Sequence, residues 1–153
     1  MPIIETKKIP RVVIDTNIII SSLISNKGDS FTVIERFKQN HFTMYINANL
    51  IREYDNKINQ FVKEGLIKDS VAANKILKEI RNRAVPLRIP INPPIRCTDP
   101  KDNHVLEVAI VGNLDYIITN DSKDLPEIEG NKALGKTKIV NSKTFKEKLN
   151  KLN

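Results

Sequence analysis

The sequence predicts an α/β domain, a three-layer α/β/α sandwich around a mostly parallel central sheet. Short β-branched runs such as "RVVID" (11–15) and "YIIT" (116–119) alternate with segments whose apolar residues recur at helical spacing. The runs are apolar without polar alternation, as expected of strands covered on both faces. No internal repeat and no linker interrupts the pattern, so residues 1–153 are expected to form a single domain.

Taken in order, "RVVID" is a buried strand with Asp15 at its carboxyl end, and "TNIIISSLIS" turns into a helix capped by Thr16 or Asn17. A second helix is expected over "GDSFTVIERFKQN", capped by Asp29 or Ser30, with Phe31, Ile34 and Phe37 on one face. "FTMYIN" has strand composition. Asn47 or Asn49 then caps a helix in which Leu50, Tyr54, Ile58 and Phe61 share a face, and Glu53, about 60° round from Leu50, lies at its edge. Asp69 caps a helix running through Arg83, with Val71, Ile76, Leu77 and Ile80 inward.

The segment "VPLRIPINPPIRCTDP" holds five prolines and reads as an extended connection. "DNHVLEVAIVGN" is a buried helix begun by Asp102 and stopped by Gly112 and Asn113. "LDYIITND" is another buried strand, ending in Asn120 and Asp121. A strand "TKIV" and a helix from Asn141 or Ser142, with Phe145, Leu149 and Leu152 on one side, close the chain.

Composition narrows the function classes. A chain of 153 residues buries roughly two thirds of its unfolded surface, enough for one core. Cys97 has no partner for an internal disulfide and no His or Cys cluster at zinc spacing, which fits a reducing interior. Asp15 and Asn17 fall where the apolar part of a secretory signal would lie, and no segment approaches the ~18 apolar residues of a membrane span, so a cytoplasmic protein with no membrane partner is expected. The net charge of +7 favours polyanionic partners. Lys132, Lys136, Lys138, Lys143, Lys146, Lys148 and Lys151 supply much of the excess, and a solvated helix face accounts for them as well as a binding patch does.

In open parallel sheets ligands bind beyond the carboxyl ends of the strands. Asp15 and Asp121 occupy such ends, Asp102 begins the helix that feeds the second of them, and Glu53 is a fourth acid from the margin of its helix. Carboxylates gathered at one edge repel one another, and a divalent cation neutralises them. Oxygen-only ligation suits magnesium or manganese. Two such ions, ~3.5–4 Å apart, serve phosphodiester hydrolysis. Singly, Asp15, Asp102 and Asp121 read as caps or turn residues and Glu53 as a surface residue. Their agreement on one edge is what singles them out, since caps need not share an edge. His104 reads as a packed or capping residue, and His41 sits in a turn before a strand.

"VVIDTNIIIS", "LIREY", "DPKDNHVLEVAI" and "DYIITNDSKDL" resemble the successive signatures of PIN domains, especially the PIN-domain ribonuclease toxins of prokaryotic toxin-antitoxin pairs. The likeness runs from Arg11 to Phe145. It implies that Asp15, Glu53, Asp102 and Asp121 form an acidic quartet that binds Mg2+ or Mn2+ and cleaves single-stranded RNA. Asn17 would orient Asp15 or a water at the metal, and Thr119 and Asn120 would support the last acid. Asp99 and Asp124 match acids often found nearby, for which turn or cap roles serve equally. A cognate antitoxin and a homodimer are implied as partners.

The expected activity is therefore that of a metal-dependent endoribonuclease without a covalent intermediate, since no Ser-His-Asp or Cys-His arrangement competes. Two other classes fit less well. A non-catalytic PIN-like binding or scaffolding module would be signalled by loss of an acid, yet all four are present. A receiver-like magnesium-binding signalling domain would carry an acidic pair after its first strand and a lysine after its last, and neither is found.

Overall fold

The protein is described by a computed structural model over residues 9–88, 102–121 and 134–152, with the side chains of residues 102 and 103 outside that description. Strand β1 (Arg11–Ile14) leads through Asp15 into α1 (Thr16–Ile24), followed by α2 (Asp29–Lys38), β2 (Thr43–Ile46), α3 (Ala48–Lys63) and α4 (Ser70–Arg83). A two-residue strand β3 (Val85–Pro86) precedes α5 (Asp102–Gly112), β4 (Tyr116–Ile118), β5 (Lys138–Val140) and α6 (Ser142–Leu152). Asp99, Asp124, Cys97 and most of the proline-rich connection lie outside the described residues.

The five strands run in the order β3-β2-β1-β4-β5, and every pairing is parallel. β1 is thus central, with Arg11 opposite Thr43 on one side and Ile14 opposite Ile118 on the other. Val12, Val13 and Ile14 are wholly buried, as a strand covered on both faces requires. Helices α1, α2 and α6 pack together, α3 packs on α4 and α5, and α5 lies against β1, β2 and β4. The result is the expected α/β/α sandwich. Its strand order reverses between β1 and β4, which opens a crevice at their carboxyl ends.

The caps refine the sequence reading. Asp15, not Thr16 or Asn17, is the N-cap of α1, its side chain accepting from the Thr16 N–H. Gly28, not Asp29 or Ser30, occupies the cap position of α2. Asn47 caps α3 through the Leu50 N–H at 2.8 Å, and Asp69 caps α4 through the Ala72 N–H at 3.0 Å. Asn47 is buried, so Asn47→Ala is expected to cost about 1–2 kcal/mol in urea unfolding, near the upper end for a lost cap.

Two inward assignments fail. Val71 is exposed because it lies about 160° round α4 from Ala73, on the face away from the buried Ala73, Ile76, Leu77 and Ile80. Leu152 is exposed at the end of α6, beyond the reach of the cluster that buries Phe145 and Leu149. Phe145 meets the edges of Phe42 and Tyr116, which ties α6 to the sheet. Among the described residues no helix is long and apolar enough to cross a membrane.

Candidate metal centre

Asp15 lies at the end of the central strand and is only 7% exposed. The backbone holds it there: its N–H donates to the Ile118 carbonyl at 2.9 Å, continuing the β1–β4 ladder, and its own carbonyl accepts from the Ile18 N–H at 3.1 Å. The carboxylate accepts from the Thr16 N–H through Oδ1 at 2.8 Å and from Thr119 Oγ1 through Oδ2 at 2.7 Å. Asn17 Nδ2 adds a longer contact to Oδ2 at 3.3 Å.

Even so, the Asp15 carboxyl titrates at about 6 instead of 3.8. Burial is the main cause, opposed by the bonds from Thr119 and Thr16, and the charges of Glu53 and Asp121 add to the rise. A carboxylate this poorly solvated, with two more acids near it, is deficient in positive charge.

The other acids arrive from separate elements. Glu53 projects from α3 with 13% of its side chain exposed, at the rim of the apolar face that Leu50, Tyr54 and Ile58 bury. Its Oε2 accepts from the Thr16 hydroxyl. The adjacent Tyr54 hydroxyl donates to the Ile14 carbonyl, pinning α3 to the end of β1. Burial, reinforced by Asp15 and Glu53, pushes the Tyr54 phenol well above its ordinary range and keeps it a neutral donor.

Asp121 follows β4 by three residues and is half-buried; its N–H donates to Thr119 Oγ1 at 2.9 Å, so one threonine links Asp121 to Asp15. The Asn120 N–H donates to Asn17 Oδ1 at 3.3 Å, and the Asn120 side chain reaches Ser30 at 3.4 Å and Ser142 at 3.4 Å. These contacts fasten the loop after β4 to the starts of α1, α2 and α6.

The structure thus brings Asp15, Asn17, Glu53, Thr119, Asn120 and Asp121 to one edge. Asp102 starts α5, but its side chain lies outside the described residues, as do Asp99 and Asp124. Among the described residues no three acidic, histidine or cysteine side chains are grouped so that they could hold a metal ion. The donor types nevertheless suit a hard divalent ion, because carboxylate oxygens dominate among them.

Two neighbours of Glu53 are not signalled by the sequence. Thr16 looks there like an alternative cap. His104 looks like a packed or capping residue, but its Nδ1 stands 3.8 Å from Glu53 Oε1, beyond hydrogen-bond range and without another partner among the described residues. An alternating β/α pattern with acids at strand ends could find neither, because both are defined by contact with Glu53, which stands on a distant helix.

The fold and the site together define a doubly wound α/β protein with an acidic centre at its strand-order reversal. Residues 11–123 match the PIN domain family, and the chain belongs to that family, whose members are generally nucleases that use divalent metals. The fold is similar to that in the crystal structure of PAE2754 from Pyrobaculum aerophilum, with a TM-score of 0.56 at 17% identity, covering 96% of this chain and 99% of that one. No curated protein matches the sequence. The 3-2-1-4-5 strand order differs from the 2-1-3-4-5 order of receiver domains, which sets the signalling alternative aside.

Proposed function

We propose that this chain is a metal-dependent endoribonuclease that hydrolyses single-stranded RNA, acting as the toxin component of a toxin-antitoxin pair. The observation that carries the reading is the gathering of Asp15, Glu53 and Asp121 at the ends of the two strands where the sheet reverses order. Asp102, which opens α5, is proposed as the fourth acid on the strength of the sequence resemblance. Magnesium or manganese held there would supply water activation and neutralise charge on the leaving oxygen. Thr16, Asn17 and Thr119 hold Asp15 in place for that ion, and Asn120 holds the loop carrying Asp121. The +7 charge of the whole chain supplies the attraction for a phosphate backbone. A homodimer and an antitoxin that covers the acidic edge belong to the same proposal, as does a cytoplasmic location.

The test is cleavage of a labelled single-stranded RNA by purified protein with manganese or magnesium, with an EDTA control and a DNA strand of the same sequence. Internal cuts in RNA that vanish with EDTA support the reading. Intact RNA across several sequences, from folded protein that takes up no metal, would leave a binding or scaffolding module instead.

A further inference from the structure

Thr16 touches two acids at once. It is 8% exposed, its N–H donates to Asp15 Oδ1 at 2.8 Å, and its hydroxyl donates to Glu53 Oε2 across 37 residues of sequence. We propose that Thr16 is a positioning residue whose hydroxyl holds the Glu53 carboxylate in register with Asp15, so that both face one cation. This rests on the metal-dependent nuclease reading above.

The hydroxyl is not needed to dock α3. That helix is attached to β1 by the Tyr54 hydroxyl on the Ile14 carbonyl and by the burial of Leu50, Tyr54 and Ile58. What those contacts leave undetermined is the Glu53 side chain, which has three rotatable bonds and stands at the rim of the buried face. Its neighbour Asp15 repels it when no cation is present. A glutamate under that repulsion turns outward to water unless a donor holds it. The Thr16 hydroxyl is that donor, and it is fixed because Thr16 is the first residue of α1, directly after Asp15.

His104 Nδ1 faces the opposite oxygen, Oε1, too distant for a hydrogen bond. The carboxylate is therefore gripped through Oε2. Such outer contacts typically change metal affinity about 10–100-fold.

Thr16→Val keeps the shape and β-branching and removes only the hydroxyl, whereas Thr16→Ser keeps the hydroxyl. Manganese is titrated calorimetrically into metal-free wild type, both Thr16 variants, Glu53→Ala and the double variant T16V/E53A, with a thermal melt of each. Thr16→Val is expected to bind manganese at least about tenfold more weakly, and Thr16→Ser to bind close to wild type. In the Glu53→Ala background Thr16→Val should add little further loss, because the group it positions is gone.

A purely structural threonine would lower the melting temperature and weaken binding equally in both backgrounds, which overturns the proposal. So does a Thr16→Val protein that binds like wild type while Glu53→Ala binds weakly. Wild type that takes up no manganese overturns this proposal and the nuclease reading together.

Discussion

Asp15→Asn is expected to cut RNA at least about a hundredfold more slowly than wild type while folding at least as stably. The activity side follows from position. Asp15 is the acid at the centre of the sheet, placed by the β1–β4 ladder and by three hydrogen bonds to its carboxylate. Groups that merely orient metal ligands are typically worth about 10–100-fold, so a ligand itself should stand at or beyond the top of that range. The stability side follows from burial. A carboxyl that titrates at about 6 in the fold and near 3.8 when unfolded makes the ionised, metal-free fold roughly 3 kcal/mol less stable than an unshifted one. The amide removes that cost but accepts poorly from Thr119 and Asn17, so the net gain should be about 1–2 kcal/mol. Cleavage rate with manganese and a metal-free urea melt, taken together, check both halves. Activity that survives the change would remove Asp15 from the centre; activity and stability lost together would make it a structural cap.

The same burial gives metal-free protein a distinct pH dependence. The folded titration point lies above the unfolded one, so between about pH 4 and pH 6 the folded state holds a proton that the unfolded state has lost. For this group stability therefore falls as pH rises through that window, by about 3 kcal/mol in all, and stays at its low value above about pH 7. Other carboxylates act in the opposite sense, so the contribution is read as the difference between wild type and Asp15→Asn. That difference should favour the variant near neutral pH and shift toward wild type as pH approaches 4. Saturating manganese should stabilise wild type near neutral pH, by about 2.7 kcal/mol at a hundred times its dissociation constant, and leave the variant nearly unchanged. Parallel stability curves for the two proteins across the window would contradict the burial argument.

How much of this was legible in the sequence depends on the range of the interaction. β1 and β4 were legible because a parallel strand buried on both faces is a continuous β-branched run, and Asp15 and Asp121 stood out as acids just after such runs. The order of the strands was not, since nothing local in "VVI" or "YII" states that they pair. α3 was legible from its stripe of Leu50, Tyr54 and Ile58 and its Asn47 cap, and the stripe placed Glu53 at the rim where it is found. Exact cap positions failed at α1 because adjacent polar residues serve equally until the backbone chooses, and at α2 because the cap is Gly28, which makes no side-chain bond to signal it. Thr16 and His104 escaped for a different reason. A threonine beside an aspartate looks like a cap, and a histidine in an apolar helix looks like packing; only the folded chain shows that both stand against Glu53.

The most direct test is anomalous diffraction from crystals grown with manganese. A manganese peak is expected within bonding distance of an Asp15 carboxylate oxygen, on the side facing Glu53 and Asp121. A well-ordered structure with no peak at Asp15, or with manganese bound only elsewhere, would contradict it.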